Sequence, residues 1–314
     1  MFFTWPSKIR AKGILGMNKR NVSYISRYNP RHLYPYVDNK LKTKIVAEKY
    51  NVATTKLLGV VEYQYQVREL GRILEPYQGF AIKPAQGSGG KGILVISGKR
   101  NGLFVKTSGE ELSLNDVMRH VSNTLSGLHS LGGKPDVSMI ESLVNFAPVF
   151  DNYSYEGVPD IRMIVFKGYP VMAMLRLSTH ASDGKANLHQ GAVGVGLDLG
   201  TGKALLAVQK GRPIHKHPDT GFGFDSLQVP DWEVILHLAS SCYEMTGLGY
   251  LGADIVLDKE VGPLLLELNA RPGLAIQVAN GIGLVPRLKK VEGIQKPHTS
   301  VEERVSFSKA HFSM

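Results

Sequence analysis

The side chains best suited to chemistry lie in one stretch, Gly252 to Gly273. Two apolar runs, residues 253–257 and 264–268, flank a short polar connection containing Gly and Pro, which is the pattern of a β-hairpin. Side chains alternate along a strand, so Glu267 and Asn269 share a face. A four-residue loop from Lys259 to Gly262 pairs Asp258 with Pro263 and sets Asp254 opposite Glu267. Three oxygen-bearing side chains then converge on an otherwise apolar hairpin. Hard divalent cations such as Mg²⁺ want that set, with phosphates completing the shell. Burying the two acids without a partner is costly, which gives a cation a reason to be there. A water-facing sheet edge explains the same residues, and spacing alone leaves the two readings level.

A second stretch, residues 80–96, carries a different chemistry. A short apolar strand with Lys83 ends in the loop Gln86-Gly87-Ser88-Gly89-Gly90-Lys91-Gly92, and a β-branched run follows at 93–96. Asn101-Gly102 then signals a hairpin turn before another strand. Gly87, Gly89 and Gly92 satisfy G-x-G-x-x-G literally, but the dinucleotide fingerprint needs a helix after the loop. A P-loop needs four residues between its glycines and Ser or Thr after its Lys, where this chain has Gly92. A glycine loop between two strands can instead fold over the phosphates of ATP through its backbone N–H groups. Lys83 would reach a phosphate as a point charge. A plain surface loop is the weaker alternative for so many glycines and lysines.

The elements that must position these groups follow in order. Asp38 is expected to cap a helix that carries Leu41, Ile45 and Val46 inward and includes Lys40, Lys42 and Lys44. Helical spacing recurs at Val67, Leu70, Ile73 and Leu74, and again after Ser113 through Leu114, Val117, Met118, Val121 and Leu125. Residues 139–144, with Glu141, and residues 158–166, with Asp160 and Arg162 on one face, read as strands. A return strand ends at Arg176, giving antiparallel sheet. The polar stretch 178–191 is long enough for a functional loop, in which Asn187 and His189 could meet substrate or phosphate. Residues 231–245 form a strong helix with Cys242 on its core side. From 291 onward the chain lacks periodicity and reads as a mobile tail.

Composition bounds the function. The chain of 314 residues, 43% hydrophobic and 20% charged, suits a soluble enzyme of one large domain or two lobes. A single cysteine excludes an intrachain disulfide framework and thiolate zinc clusters. The net charge of +10 suits an anionic ligand or surface. No apolar run reaches the length of a membrane span, and the start does not read as a signal peptide, so the expected location is cytoplasmic. Phe2, Phe3 and Trp5, followed by Lys8, Arg10 and Lys12, could touch a membrane surface, though a docked or disordered terminus is the simpler reading.

Taken in order, Lys83 with the glycine loop, residues 139–144, Asp160-Ile-Arg162, Arg176, Asn187-Leu-His-Gln-Gly191, Gly252-Ala-Asp-Ile and Glu267-Leu-Asn-Ala-Arg-Pro-Gly273 resemble an ATP-grasp enzyme. The likeness is strongest to RimK-type α-L-glutamate ligases and the group called α-L-glutamate ligase-like. It implies an α+β fold with two lobes whose antiparallel sheets grip ATP. Residues 39–140 would form the N-terminal lobe and 141–290 the C-terminal lobe with the metal site. Residues 1–38 would be a short basic and aromatic segment, and 291–314 a flexible tail.

The resemblance also implies a reaction: ATP phosphorylates a carboxylate, and an amine attacks the acyl phosphate. It places Lys44, Lys83 and the loop Gln86, Gly87, Ser88, Gly89, Gly90, Lys91 and Gly92 on ATP, and the backbone of Glu141, Ser142, Leu143 and Val144 along the adenine. Asp160 and Asn187 join the nucleotide site. Asp254, Glu267 and Asn269 hold Mg²⁺, two ions with Mn²⁺ as a substitute, while Arg176 and Arg271 stabilise the transferred phosphoryl group. The implied partners are a small-molecule or peptide carboxylate and an amino-acid amine, glutamate among them. A domain commonly found before these lobes is reduced or absent here, so a protein partner or homo-oligomer could supply its surface. A phosphotransferase acting on a hydroxyl, a non-catalytic ATP-binding protein and a nucleic-acid-binding module are the alternatives. Scattered basic residues without an aromatic platform argue against nucleic acid.

Overall fold

Apolar runs and turn chemistry account for most of the architecture. The computed structural model describes residues 6–87, 90–130 and 132–314. Ser88 and Gly89 of the loop, and the aromatic start Phe2, Phe3 and Trp5, lie outside the described residues. Two compact units are formed: one from residues 38–45 and 54–145, the other from 1–37, 46–53 and 146–314.

In the first unit, strands β1 (Leu57–Val61), β2 (Phe80–Pro84), β3 (Leu94–Arg100), β4 (Leu103–Lys106), β5 (Glu111–Leu112) and β6 (Ser138–Glu141) make an antiparallel sheet ordered β1-β6-β2-β3-β4-β5. Asn101 and Gly102, with φ of 50° and 78°, close the β3–β4 hairpin as a two-residue turn of matching twist. Helix α1 (Lys40–Lys49) starts one residue later than expected. Asp38 ends a short preceding helix, and the Asn39 side chain accepts from the Lys42 N–H instead. Thr43 is buried and Ile45 is exposed, while Ala47, on the end of the helix that belongs to the second unit, is buried in that unit's core. Helix α2 (Leu114–Leu125) opens on a reciprocal Ser113–Asp116 capping box and buries Val117, Val121 and Leu125 against Phe80, Ile82 and Ile96.

The second unit holds β7 (Asp160–Phe166), β8 (Tyr169–Leu177), β9 (Val193–Leu197), β10 (Ala204–Gln209), β11 (Arg212–Ile214), β12 (Tyr250–Asp258) and β13 (Gly262–Asn269), ordered β11-β10-β9-β8-β7-β12-β13. Helices α3 (Trp232–Thr246), α4 (Val285–Glu292) and α5 (Val301–Phe312) pack on it. No helix of the described residues is long and apolar enough to cross a membrane.

Both ends of the chain depart from expectation. Residues 17–28 form a continuous helical run whose centre, Arg20–Ile25, is π-helical, and Leu15, Tyr24, Ile25 and Val37 enter the core of this unit. Beyond 291 the chain is helical over α5 rather than mobile. Ser300 and Glu303 form a capping box, and Val305, Ser308 and Phe312 recur on one buried face. Arg287 ties α4 to the end of α5, donating to the carbonyls of Val171 at 2.8 Å and Phe312 at 2.7 Å. That stripe is only three residues wide and one of them is Ser, which hides it from a hydrophobic pattern. Phe312→Ala should destabilise the protein by roughly 3–5 kcal/mol in urea unfolding, the cost of deleting a buried aromatic ring. A mobile tail would show no change.

Candidate functional site

In the first unit, Lys44 from α1 and Lys83 from β2 meet Glu141 at the end of β6. Lys83 Nζ lies 2.6 Å from one carboxylate oxygen and Lys44 Nζ 3.0 Å from the other. Lys44 also donates to the Thr55 carbonyl and, at 2.9 Å, to the Thr55 hydroxyl. All three side chains are at most 16% exposed. Burial opposes the Glu141 charge, but Lys83 and Lys44 outweigh it and hold the carboxyl below its usual range. Burial lowers Lys44 against the pull of Glu141, with Lys83 adding repulsion. One acid therefore serves two cations, and the cluster keeps one excess positive charge in a place where charge is expensive. An anion arriving there would restore the balance, so the residues fit a nucleotide phosphate. Ser142, Leu143 and Val144 follow the end of β6, where Ser142 exchanges bonds with the Lys56 backbone.

The glycine loop is held by a residue the sequence reading misses. Buried Asp136 accepts from the Gln86 N–H at 3.0 and 3.1 Å, from Val137 N–H at 2.8 Å and from the Ser130 hydroxyl at 3.2 Å. Lys40 Nζ donates to the Gly87 carbonyl at 2.7 Å. Gly90 and Gly92 both have φ of +75°, where only glycine sits without strain. A side chain on Gly92 would also strike the His129 ring. His120 Nε2 lies 3.0 Å from the Gly92 carbonyl. The signal for Asp136 was its place in a Gly-Gly-Lys-Pro-Asp turn just before a strand.

In the second unit, register brings a second cluster together. Asp160 pairs with Arg176 across β7–β8, and Arg162 with Asp254 across β7–β12. Arg162 Nε donates to Asp254 Oδ1 at 2.7 Å and its Nη2 to Oδ2 at 2.5 Å. Arg176 Nε donates to Asp160 Oδ1 at 2.6 Å, its Nη2 bonds the other Asp160 oxygen, and the same Nη2 lies 2.9 Å from Asp254 Oδ2. Asn269 Nδ2 adds a bond to Asp254 Oδ2 at 3.3 Å. The four charges sum to zero. Burial opposes the Asp254 charge, yet Arg176 and Arg162 hold it below the usual carboxylate range. Burial pushes Asp160 up to about 6 against the pull of Arg176, whereas the two acids hold Arg176 further toward its charged form. Both Asp160 oxygens accept from that guanidinium, a bidentate pairing that favours the ionised carboxylate.

The hairpin places Asp254 opposite Glu267 and Gly252 opposite Asn269. Its route there differs from expectation. The loop has three residues, Asp258 pairs with Gly262 rather than Pro263, and a bulge at Leu266 restores the offset. The donor chemistry of Asp254, Glu267 and Asn269 suits a hard cation. Asp254, however, already accepts four hydrogen bonds, and among the described residues no group of three or more His, Cys, Asp and Glu is arranged as a metal site. Asn187 is exposed and uses its side-chain oxygen to cap the turn Leu188–Gln190. Arg271 is exposed and lies over the Tyr34 ring at 5.3 Å, apart from the Asp160–Arg176–Asp254–Arg162 set. Cys242 is buried in the core, its thiol pushed up to about 12 by burial.

Two antiparallel sheets, one bearing Lys83 before a glycine loop and the other an Asp…Glu-x-Asn hairpin, define an ATP-grasp protein. The family described as sugar-transfer associated ATP-grasp matches residues 19–293, and the chain belongs to it. Comparison with curated proteins gives no match. Similar solved structures include the ATP-grasp ligase PsnB complexed with minimal precursor, at 13% identity and a TM-score of 0.47, covering 84% of this chain and 61% of that one. D-alanyl-alanine synthetase A from Vibrio cholerae O1 biovar eltor is similar at 11% identity and a TM-score of 0.47, covering 88% and 66%. A RimK domain ATP-grasp protein from Sphaerobacter thermophilus is similar at 10% identity and a TM-score of 0.47, covering 84% and 70%. The chain thus spans less than two thirds of the length of the first two.

Two measurements test these clusters. Asp254→Asn should cost roughly 3–5 kcal/mol of stability in metal-free buffer, because it leaves buried guanidinium charge uncompensated. An acid waiting for a metal would instead stabilise the metal-free protein on removal. For Glu141 the sign follows from a folded-state value below the ordinary 4.5. Its contribution is complete above that ordinary value and is lost as pH falls through the depressed one. The stability gap between wild type and Glu141→Gln should therefore be flat near neutrality and close below about pH 4.5. A gap unchanged down to pH 2 would contradict the pairing.

Proposed function

We propose that the chain is an ATP-dependent carboxylate–amine ligase that works through an acyl phosphate. The observation that supports it most is the buried Lys44–Glu141–Lys83 cluster with its one excess positive charge. In the first half-reaction a carboxylate oxygen attacks the γ-phosphorus of ATP, the bond from that phosphorus to the ADP oxygen breaks, and ADP leaves. In the second, an amine nitrogen attacks the acyl carbon, the bond to phosphate breaks, and inorganic phosphate departs while the nitrogen releases its proton to solvent. Lys83 and Lys44 neutralise phosphate charge, and the loop backbone around Gly90 and Gly92 supplies N–H donors. Mg²⁺ would offset charge on the phosphate oxygens. Glu267 and Asn269 would hold it, with Asp254 trading one guanidinium bond for the ion. Arg162 and Arg176 keep Asp254 and Asp160 fixed and charged.

The family description ties the reading to sugar transfer. We therefore assign the carboxylate or the amine to a sugar-borne group. The test is ADP release from Mg²⁺-ATP with sugar acids crossed against amino acids and amino sugars, with mass spectrometry of products. Release should require both an acid and an amine and yield an amide. Lys83→Met and Glu267→Gln should each lower turnover by about 10²-fold or more, the scale for losing one electrostatic contact to a transition state. ATP turnover indifferent to both additions, or a phosphoester product, would overturn the ligase assignment.

A further inference from the structure

We propose that the cavity between the N-terminal helical run and the loop after β13 binds an anionic, hydroxyl-rich ligand: a carboxylate or phosphate carried on a sugar. Its part as acceptor in the reaction rests on the ligase reading above; its existence as a binding site does not. The cavity has a volume of about 720 Å³, within the range of small-molecule sites. Its lining includes two arginines, Arg31 and Arg271, and no acid. The sign of its charge therefore selects an anion. The Arg271 guanidinium lies 5.3 Å from the centre of the Tyr34 ring, and an arginine brings a planar fork of N–H donors suited to a bidentate anion. Asn21 and Ser26 bring polar groups to the same wall, and Ile25 is a buried apolar floor. Asn21 accepts through its oxygen from Arg20 at 2.9 and 3.0 Å, which assigns its amide nitrogen as a donor. Donors for hydroxyls, an aromatic ring and an apolar floor beside an arginine pair match a sugar acid or sugar phosphate better than an inorganic anion.

Three further observations mark the cavity as built rather than incidental. Its wall includes the π-helical segment Arg20–Ile25, a rare backbone form that recurs at functional sites. Its base is rigid, because buried Asn29 donates to the Tyr250 carbonyl at 2.6 Å and accepts from the Tyr250 N–H at 2.8 Å, while also reaching the Ala270 carbonyl at 3.3 Å. Through Asn29 it is also joined to β12, the strand that carries Asp254 of the arginine–aspartate cluster. Tyr250, Gly252 and Asp254 alternate onto one face of β12. Tyr24 of the helical run packs on Tyr250, and Pro272 covers Gly252, where an added Cβ would come within 2.7 Å of it. Arg20 Nη1 fixes that proline by donating to its carbonyl at 2.8 Å.

The test is calorimetric titration of the full chain, without ATP, using glucuronate, glucose 1-phosphate, inorganic phosphate and neutral glucose. Saturable binding of glucuronate or glucose 1-phosphate is expected, and which of the two binds tells whether the anion is a carboxylate or a phosphate. Arg31→Gln and Arg271→Ala should each weaken it by about tenfold or more, the scale of one charge-assisted contact. Arg271→Lys should not restore it, since an ammonium lacks the planar fork. Circular dichroism checks folding, and exposed Arg31 provides a variant whose fold is not at stake. No saturable binding of either sugar anion, equal affinity for glucose or inorganic phosphate, or unchanged affinity in a folded Arg31→Gln protein would overturn the proposal. Because no ATP is present, a protein that binds the sugar anion but turns over no ATP refutes only the ligase reading. A protein that turns over ATP but binds no sugar anion refutes only the pocket.

Discussion

The chain Asp160–Arg176–Asp254–Arg162 is the constraint on which the second unit depends. Four charges from β7, β8 and β12 sit in the middle of a sheet, nearly out of contact with water, with Asn269 of β13 attached. Two acids and two arginines can be buried together only because they cancel and because their geometry is bidentate. Removing any one leaves its partners charged and unsolvated. The arrangement thus fixes register: a slip of one residue in β7, β8 or β12 would turn a charge to the wrong face of the sheet.

The two charged clusters differ in what they can accept. The arginine–aspartate set is balanced as it stands, so its acids are held in place by cations that belong to the protein. The Lys44–Glu141–Lys83 set is not balanced, and Lys44 is the member whose charge is least well supported. On the reading proposed above, the first cluster would meet the polyanion and the second would keep oxygen ligands ordered for a cation. Preorganisation of this kind matters in phosphoryl transfer, where placement and electrostatics supply most of the catalysis.

Much of this was legible in the sequence because it is local. The helical spacing after Ser113, the Asn101-Gly102 turn and the apolar runs of β7, β8, β12 and β13 each depend on residues a few positions apart. The hairpin is instructive in a different way. A four-residue loop predicts Asp254 opposite Glu267, and the protein reaches the same pairing through a three-residue loop and a bulge at Leu266. Leu264, Leu265 and Leu266 are identical in type, so no pattern could mark which of them is extra. The ion-pair partners of Asp254 were hidden for a stronger reason. Arg162 and Arg176 lie 92 and 78 positions away, and only strand order makes them neighbours. Asp136 and Asn29 were missed likewise, since each acts on backbone groups that its own surroundings do not announce.

The ends of the chain carry the same lesson into energetics. Residues 15–37 and 301–312 are polar enough to read as loose, yet both pack on the β7–β8–β12 region of one core. Apolar side chains of both segments enter that core, and buried polar side chains fasten each one: Asn29 on Tyr250 at one end, Arg287 and Arg304 around α5 at the other. A buried arginine donating to backbone carbonyls adds charge-assisted hydrogen bonds that hydrophobic patterning does not reveal, and those bonds are made only while the segment is docked. The Asn29 clamp has a second consequence, since the backbone it fixes, Tyr250 and Ala270, runs directly into Gly252, Asp254 and Asn269. The N-terminal run is thereby part of the scaffold that sets the hairpin, and the geometry of the acid cluster depends on residues more than two hundred positions away.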